Sequence, residues 1–396
     1  MLSVDQAIAV ILEGASALGA EAVPLTDCPR RIAAEDIAAR MTQPPFAASA
    51  MDGYAVRFID ANLGSKLEVI GEAPAGEPFV GKVGAGEAVR IFTGGVVPEG
   101  ADHVVIQEDV TQDGDRITIN EDQKHPRNIR AAGVDFNAGD ILVRAGEVLH
   151  GIHGSILAAA NIGTVSVVRR PRVALFSNGD ELVEPGTELK PGQIVNSNHY
   201  ALTEMVRAWG GDPTYHGCAA DTQKAIGEMF ERAKGADIII PIGGASVGDY
   251  DYVKPVFRAE GGEITFEKVA VRPGKPTWFG KLNDARIIGL PGNPASALVT
   301  AALFAQPLVR CLAEKKSADI SFESAVLTEP LKSNGKREAY LRGVTAASAK
   351  GETVAPVPNQ DSSLLLPFAH ANVLIRRPVD APSLDVGDKV EIVRLR

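Results

Sequence analysis

The stretch Ala236–Lys254, ADIIIPIGGASVGDYDYVK, constrains this chain more than any other. Its apolar run Ile238–Ile239–Ile240 predicts a buried strand. The chain then breaks into Gly243–Gly244, a small-residue turn holding Ser246, then Gly248 and the acidic pair Asp249 and Asp251. A buried parallel strand ending in a glycine-rich, acidic loop is how an open α/β sheet presents its ligand site. Glycines let backbone N–H groups approach an anion closely, and either Asp249 or Asp251 suits a hard cation such as Mg2+. A tight turn with solvated carboxylates accounts for the same residues, so the neighbouring loops must decide.

Those neighbours lie in residues 171–318, where strand and helix patterns alternate. A strand at Arg172–Phe176 precedes a helix with Ala201, Leu202, Met205, Val206 and Trp209 on one face. A strand near Pro213–Cys218 leads to Asp221, read as the N-cap of a helix carrying Ile226, Met229 and Phe230. After the Ile238–Ile240 strand come a helix following Asp251, strands at Glu263–Val269 and Arg286–Leu290, and a long helix from Ala295. Such alternation predicts a doubly wound α/β domain. The loops after its strands carry Ser177–Asn178–Gly179–Asp180–Glu181, Asp221, Gly243–Gly244 and Pro291–Gly292–Asn293–Pro294–Ala295–Ser296. In the last, Asn293 is placed to cap, Pro294 takes the first helical position, and the free N–H groups make an oxyanion site. Arg272–Pro273–Gly274–Lys275 sets two cations on a rigid turn suited to a tetrahedral oxyanion. The carboxylates at this edge would repel one another unless a divalent cation and a phosphorylated substrate lay between them and the cations.

The remaining chain reads as other modules, since 396 residues exceed what one core supports. Ser3 with Gln6 forms a capping box for a first helix, with Ala7, Ile8, Ile11, Leu12, Ala15 and Leu18 on one face. Short β runs fill Phe46 to about Asn137. A β run and a helix at His153–Asn161 follow, and the tail from Ser321 reads as a small β-barrel or sandwich. The expected domains are therefore 1–44 with 138–170, then 45–137 as an inserted β module, 171–318, and 319–396. His150 and His153 have no third ligand nearby and read as a surface pair. With 40 Lys and Arg against 50 Asp and Glu, the net charge of −10 excludes the basic footprint of a nucleic-acid binder. Cys28, Cys218 and Cys311 are too scattered for a zinc or disulfide framework. The apolar stretch Ala295–Val309 is short for a membrane span, and the N-terminus lacks a signal-peptide pattern, so a cytoplasmic protein is expected. No P-loop, dinucleotide fingerprint, HExxH or GxSxG is present.

Taken together, PPFAASAMDGYAVR (44–57), FTGGVVPEGADHVV (92–105), NIRAAGVDF (128–136), SNGDELVEPG (177–186), GQIVNSN (192–198), GGASVGDYDYVK (243–254), VRPGKPTWFG (271–280) and GLPGNPASA (289–297) resemble the molybdopterin molybdenumtransferases. These are MoeA in bacteria and the E domain of gephyrin in eukaryotes. The resemblance implies a multidomain α/β plus β fold: a MoaB/MogA-like doubly wound domain, an inserted mostly-β domain, an elongated mixed domain and a C-terminal β-barrel. It implies Mg2+-dependent insertion of molybdate into adenylylated molybdopterin with release of AMP. It further implies a homodimer whose site joins the α/β domain of one subunit to the SAMDGYA module of the other, supplied by a molybdopterin adenylyltransferase. By position, Asp52, Asp135, Glu181, Asp221 and Asp251 match the family's functional carboxylates, Asp221 and Asp251 being the candidates for Mg2+. Thr93 matches a threonine of the substrate cleft. Gly243, Gly244, Ser246, Pro291, Gly292, Asn293 and Pro294 fall in substrate-binding loops. Arg272, Lys275, Ser296, Arg337 and Ser362 lie where the family binds molybdate or phosphate, with Arg342 an equal alternative to Arg337. Ala48 stands where the family often has Asn or Asp, and Arg272 where it often has Lys. An adenylyltransferase or a non-enzymatic scaffold are the competing readings, and tungstate is not separable from molybdate.

Overall fold

The computed structural model describes residues 1–244, 252–314, 320–349 and 351–395. Two compact units emerge, Met1–Glu21 with Val168–Arg396, and Ala22–Val167.

The first unit is built on a six-stranded sheet in the order Asp212–Ala219, Arg172–Asn178, Ile238–Ile242, Ala285–Gly289, Trp278–Leu282, Glu263–Phe266. The first four strands are parallel, and the fifth runs antiparallel to both its neighbours. Ile238 and Ile240 point into one core with Leu202, Val206 and Leu298, while Ile239 points into another with Ile226, Phe230 and Phe257. A strand covered by helices on both faces has no solvent side, so the run is apolar at every position. Trp278–Leu282 was not expected as a strand. It pairs with Ala285–Gly289 through a tight turn at Asn283, whose φ of 52° is one that asparagine tolerates.

The first helix, Val4–Leu12, carries the expected capping box, with Gln6 N donating to Ser3 Oγ at 3.1 Å. It stops before Ala15 and Leu18, which pack on the α/β core without being helical. Val4, Ala7 and Ile11 also enter that core, so this segment belongs to the first unit. The long helical segment Pro294–Ala313, 20 residues, is apolar enough to cross a membrane by length and composition, but 83% of its most apolar window is buried inside the core. Its middle, Ala301–Ala305, widens to a π-helix just before Pro307, which has no N–H to continue an α-helical ladder.

The tail closes into a β-barrel, because Glu338–Ser348 pairs with Gly351–Pro356 on one side and Val373–Arg377 on the other. Lys389–Arg394 and Glu323–Leu327 complete the ring. The short strand Val271–Arg272 adds in parallel to Glu338–Ala339, tying the cationic turn of the α/β domain to the barrel.

The second unit holds a six-stranded sheet in the order His103–Ile106, Gly53–Val56, Glu87–Ile91, Lys66–Ala73, Arg116–Ile119, Val110–Asp113. A separate apolar cluster gathers Val23, Cys28, Leu149, Leu157 and Val167. The multidomain α/β plus β architecture read from the sequence is the one observed.

Candidate active site

The strand order places its switch point between Arg172–Asn178 and Ile238–Ile242, whose connections leave in opposite directions. A cleft of about 630 Å³ opens there, lined by Asn178, Gly179, Glu181, Asp221, Gly243, Gly244, Pro291, Gly292, Asn293 and Pro294 among others. The loops singled out by sequence therefore converge on one sheet edge. Gly243 has φ 105° and Gly244 φ 58°, and a Cβ on either would press on Asn178 at 3.1 Å or less. Both glycines are needed for this close approach. Ser246, Asp249 and Asp251 lie outside the described residues.

Asp221 does not cap the helix that follows it. Thr222 does, its Oγ1 accepting from Ala225 N at 3.2 Å. Asp221 instead accepts from Asn178 Nδ2 at 3.1 Å and from Asp180 N at 3.4 Å, while its own N–H donates to Asp180 Oδ1 at 3.0 Å. Adjacent Asp and Thr are equally good caps, and the tertiary partner Asn178 selects between them. Asn293 likewise occupies the cap position of its helix with no capping hydrogen bond, and its Nδ2 lies 3.5 Å from Ser362 Oγ. The Ala295 N–H is already given to Ser362 O at 3.0 Å, which withdraws one donor from the expected oxyanion site.

A second cavity, about 350 Å³, is lined by Arg272, Lys275, Ser296, Arg337 and Ser362 together with Tyr340, Gln360 and Asp361. Pro276 lines both cavities, and Ser362 faces this one while Ser363 lines the cleft. Arg337 reaches the pocket and donates to Val271 O at 3.4 Å. Arg342, 1% exposed, does not line it. Its guanidinium donates to Gln360 Oε1 and to the carbonyls of Asn359, Asp361 and Leu364 at 3.0–3.4 Å. Two arginines equal in sequence thus separate by burial.

The acidic side has a natural reporter. Burial, reinforced by Glu184, Glu181, Asp221 and Asp180, pushes the Cys218 thiol up to about 11. At pH 8 its alkylation, followed by mass spectrometry, is expected to run about a hundredfold slower than that of free cysteine, because the thiolate is the nucleophile. Among the described residues no group of three or more His, Cys, Asp and Glu converges as a metal site. His150 N donates to His153 Nδ1 at 3.0 Å and the rings stack, so this pair starts a helix.

Within the second unit, Asp52 accepts from Thr93 N at 2.7 Å and Thr93 Oγ1 at 2.8 Å, and these two donors hold its carboxyl below the ordinary range. Asp135 is exposed, with its N–H donating to Gln43 O. Sequence reasoning gave no role to Asn196, which accepts from Ser177 Oγ at 3.1 Å and donates to Tyr215 Oη at 2.6 Å beneath the cleft. Its signal in the sequence was its place in the GQIVNSN motif, which carried no role for the individual residue.

A doubly wound domain that sets an acidic, glycine-lined cleft beside a basic pocket is built for an enzyme handling a phosphorylated ligand of cofactor size. Family models match most of the chain: MoeA N-terminal region (domain I and II) at residues 2–161, Probable molybdopterin binding domain at 174–311, and MoeA C-terminal region (domain IV) at 324–395. A molybdopterin molybdenumtransferase from Nostoc sp. is 38% identical over 95% of this chain and 88% of its own. One from Haemophilus influenzae is 37% identical over 99% and 98%. Two solved molybdopterin biosynthesis MoeA proteins from Pyrococcus horikoshii superpose with TM-scores of 0.83 and 0.76, at 33% and 26% identity, over 100% of this chain and 99% and 100% of theirs. The chain belongs to the molybdopterin molybdenumtransferase family, a family of transferases in molybdenum cofactor biosynthesis.

Proposed function

We propose that the chain inserts molybdate into adenylylated molybdopterin, with Mg2+ required and AMP released. The observation that carries this reading is the pair of adjoining cavities of opposite charge that share Pro276. The pterin and its phosphate occupy the cleft, and Arg272, Lys275, Arg337, Ser296 and Ser362 hold the oxyanion beside the dithiolene sulfurs. Asp180, Glu181 and Asp221 offer only hard oxygen donors, the chemistry a divalent cation takes, although among the described residues they do not converge as a ready-made metal site. Mg2+ held by Asp221 and Asp251 would offset pyrophosphate charge and favour departure of AMP. Glu181 and Asp221 position the anhydride, while Asp52, Thr93 and Asp135 complete the site from the second subunit of a homodimer. An adenylyltransferase supplies the substrate in the cytoplasm, and neither nucleic acid nor membrane takes part. The four-part division, 1–44 with 138–170, 45–137, 171–318 and 319–396, is retained apart from the first helix.

The test mixes purified protein with adenylylated molybdopterin, Mg2+ and molybdate, and measures AMP together with active cofactor. Lys275→Ala and Asp221→Asn are each expected to slow turnover about a hundredfold or more without loss of fold. Normal turnover in both variants would sink the reading. Mixing Asp52→Ala subunits with Asp221→Asn subunits is expected to restore part of the activity, since a mixed dimer has one intact shared site. No recovery on mixing would remove the shared site from the proposal.

A further inference from the structure

Asn178 ends the strand Arg172–Asn178 at the switch point and is 7% exposed. Its Nδ2 donates to Asp221 Oδ1, a group that can only accept, so the amide orientation is fixed and Oδ1 is the atom left over. That oxygen is buried and has no partner among the described residues. Asn198, at the start of the next helix, repeats the arrangement. Its Nδ2 donates to Gly292 O at 2.7 Å, again an acceptor only, and its Oδ1 is buried without a partner. Both residues line the same cleft. Buried acceptors are normally satisfied, and two left without partners on residues lining one cleft point to a ligand that brings N–H groups.

We propose that Asn178 and Asn198 are the residues that read the substrate's heterocycle, each accepting a hydrogen bond from an N–H of the pterin. A pterin ring offers several N–H donors on its edges, among them the 2-amino group and the adjacent ring N–H. An adenine offers one amino group flanked by acceptors, which would face these carbonyl oxygens with lone pairs. A site that hydrogen-bonds its ligand this way rejects an analogue lacking the donor, because its own acceptors are then buried unpaired. This inference rests on the reading of the cleft as the molybdopterin site.

The experiment compares Asn178→Ala and Asn198→Ala with wild type in the insertion assay, with KM for adenylylated molybdopterin and KM for molybdate measured separately. Titration calorimetry with 6-methyltetrahydropterin, and separately with AMP, runs in parallel. Each variant is expected to raise KM for adenylylated molybdopterin about tenfold to a hundredfold and to weaken the reduced pterin equally. In Asn198→Ala, which does not touch Asp221, KM for molybdate and AMP binding stay unchanged. An effect transmitted only through Asp221 would lower kcat without raising KM and would overturn the assignment of Asn178. If Asn178→Ala lowers the melting temperature, Asn198→Ala carries the test. Unchanged KM in both variants overturns the proposal, as does loss of AMP binding with pterin binding intact. A wild type that binds the reduced pterin but never inserts molybdate defeats the function and leaves the pair standing.

Discussion

Gly289→Ala is expected to destabilise the α/β domain by about 3 kcal/mol or more, enough to unfold much of the protein at 37 °C. Gly289 faces Trp278 across the antiparallel pair, and a Cβ there would sit 1.8 Å from the indole Nε1 and 2.2 Å from Cε2. The indole has nowhere to move, because Trp278 is fully buried and packs on Phe257 with ring centroids 5.2 Å apart. Overpacking in a close-packed interior displaces backbone, and here the displaced strand leads through Leu290 into Pro291 and Gly292 of the cleft wall. The specific check is non-additivity: Trp278→Phe with Gly289→Ala should melt higher than Gly289→Ala alone, as the smaller ring vacates the contested space. A Gly289→Ala single variant melting within a degree or two of wild type would refute the argument.

What the sequence made legible follows from which interactions are local. The Ile238–Ile240 run, the helix faces and the Ser3–Gln6 cap were readable because periodicity and capping are properties of neighbouring residues. Trp278–Leu282 was missed because it is broken by Gly280, where a Cβ would meet Glu263 O at 2.5 Å, so the reason for the glycine lies in another strand. Barrel closure was equally hidden: Ala339 opposite Arg377 is a pairing across tens of residues, and a sandwich would show the same alternation. At the site, the loops could be placed on one edge because strand ends in a parallel sheet share a direction. Which asparagine holds Asp221, and that Ser362 occupies the Ala295 N–H, depended on tertiary contacts with no local signature.

Arg342 carries the other large effect. Arg342→Met is expected to raise the molybdate concentration needed for half-maximal insertion at least tenfold and to lower stability by about 2–4 kcal/mol, although Arg342 does not line the pocket. Its backbone N–H donates to Gln360 Oε1 at 2.9 Å, Gln360 Nε2 returns a bond to Arg342 O at 2.9 Å, and the guanidinium collects three further carbonyls from residues 359–364. That loop carries Ser362, which lines the pocket with Ser296 and accepts from the Ala295 N–H, so its geometry is the geometry of the pocket. Removing the guanidinium leaves these carbonyls without the fixed planar donor that gathers them, and Lys cannot replace it, because an ammonium is a point donor rather than a fork. Arg342→Lys should therefore fail to rescue molybdate binding. Arg337→Ala supplies the contrast: it removes a pocket-lining cation with a single carbonyl contact, and should raise the molybdate KM while leaving the melting temperature in place. Thermal melts paired with molybdate titrations of the three variants decide the matter. If Arg342→Met keeps wild-type molybdate dependence despite lowered stability, the arginine only braces the barrel, and the loop finds its place without it.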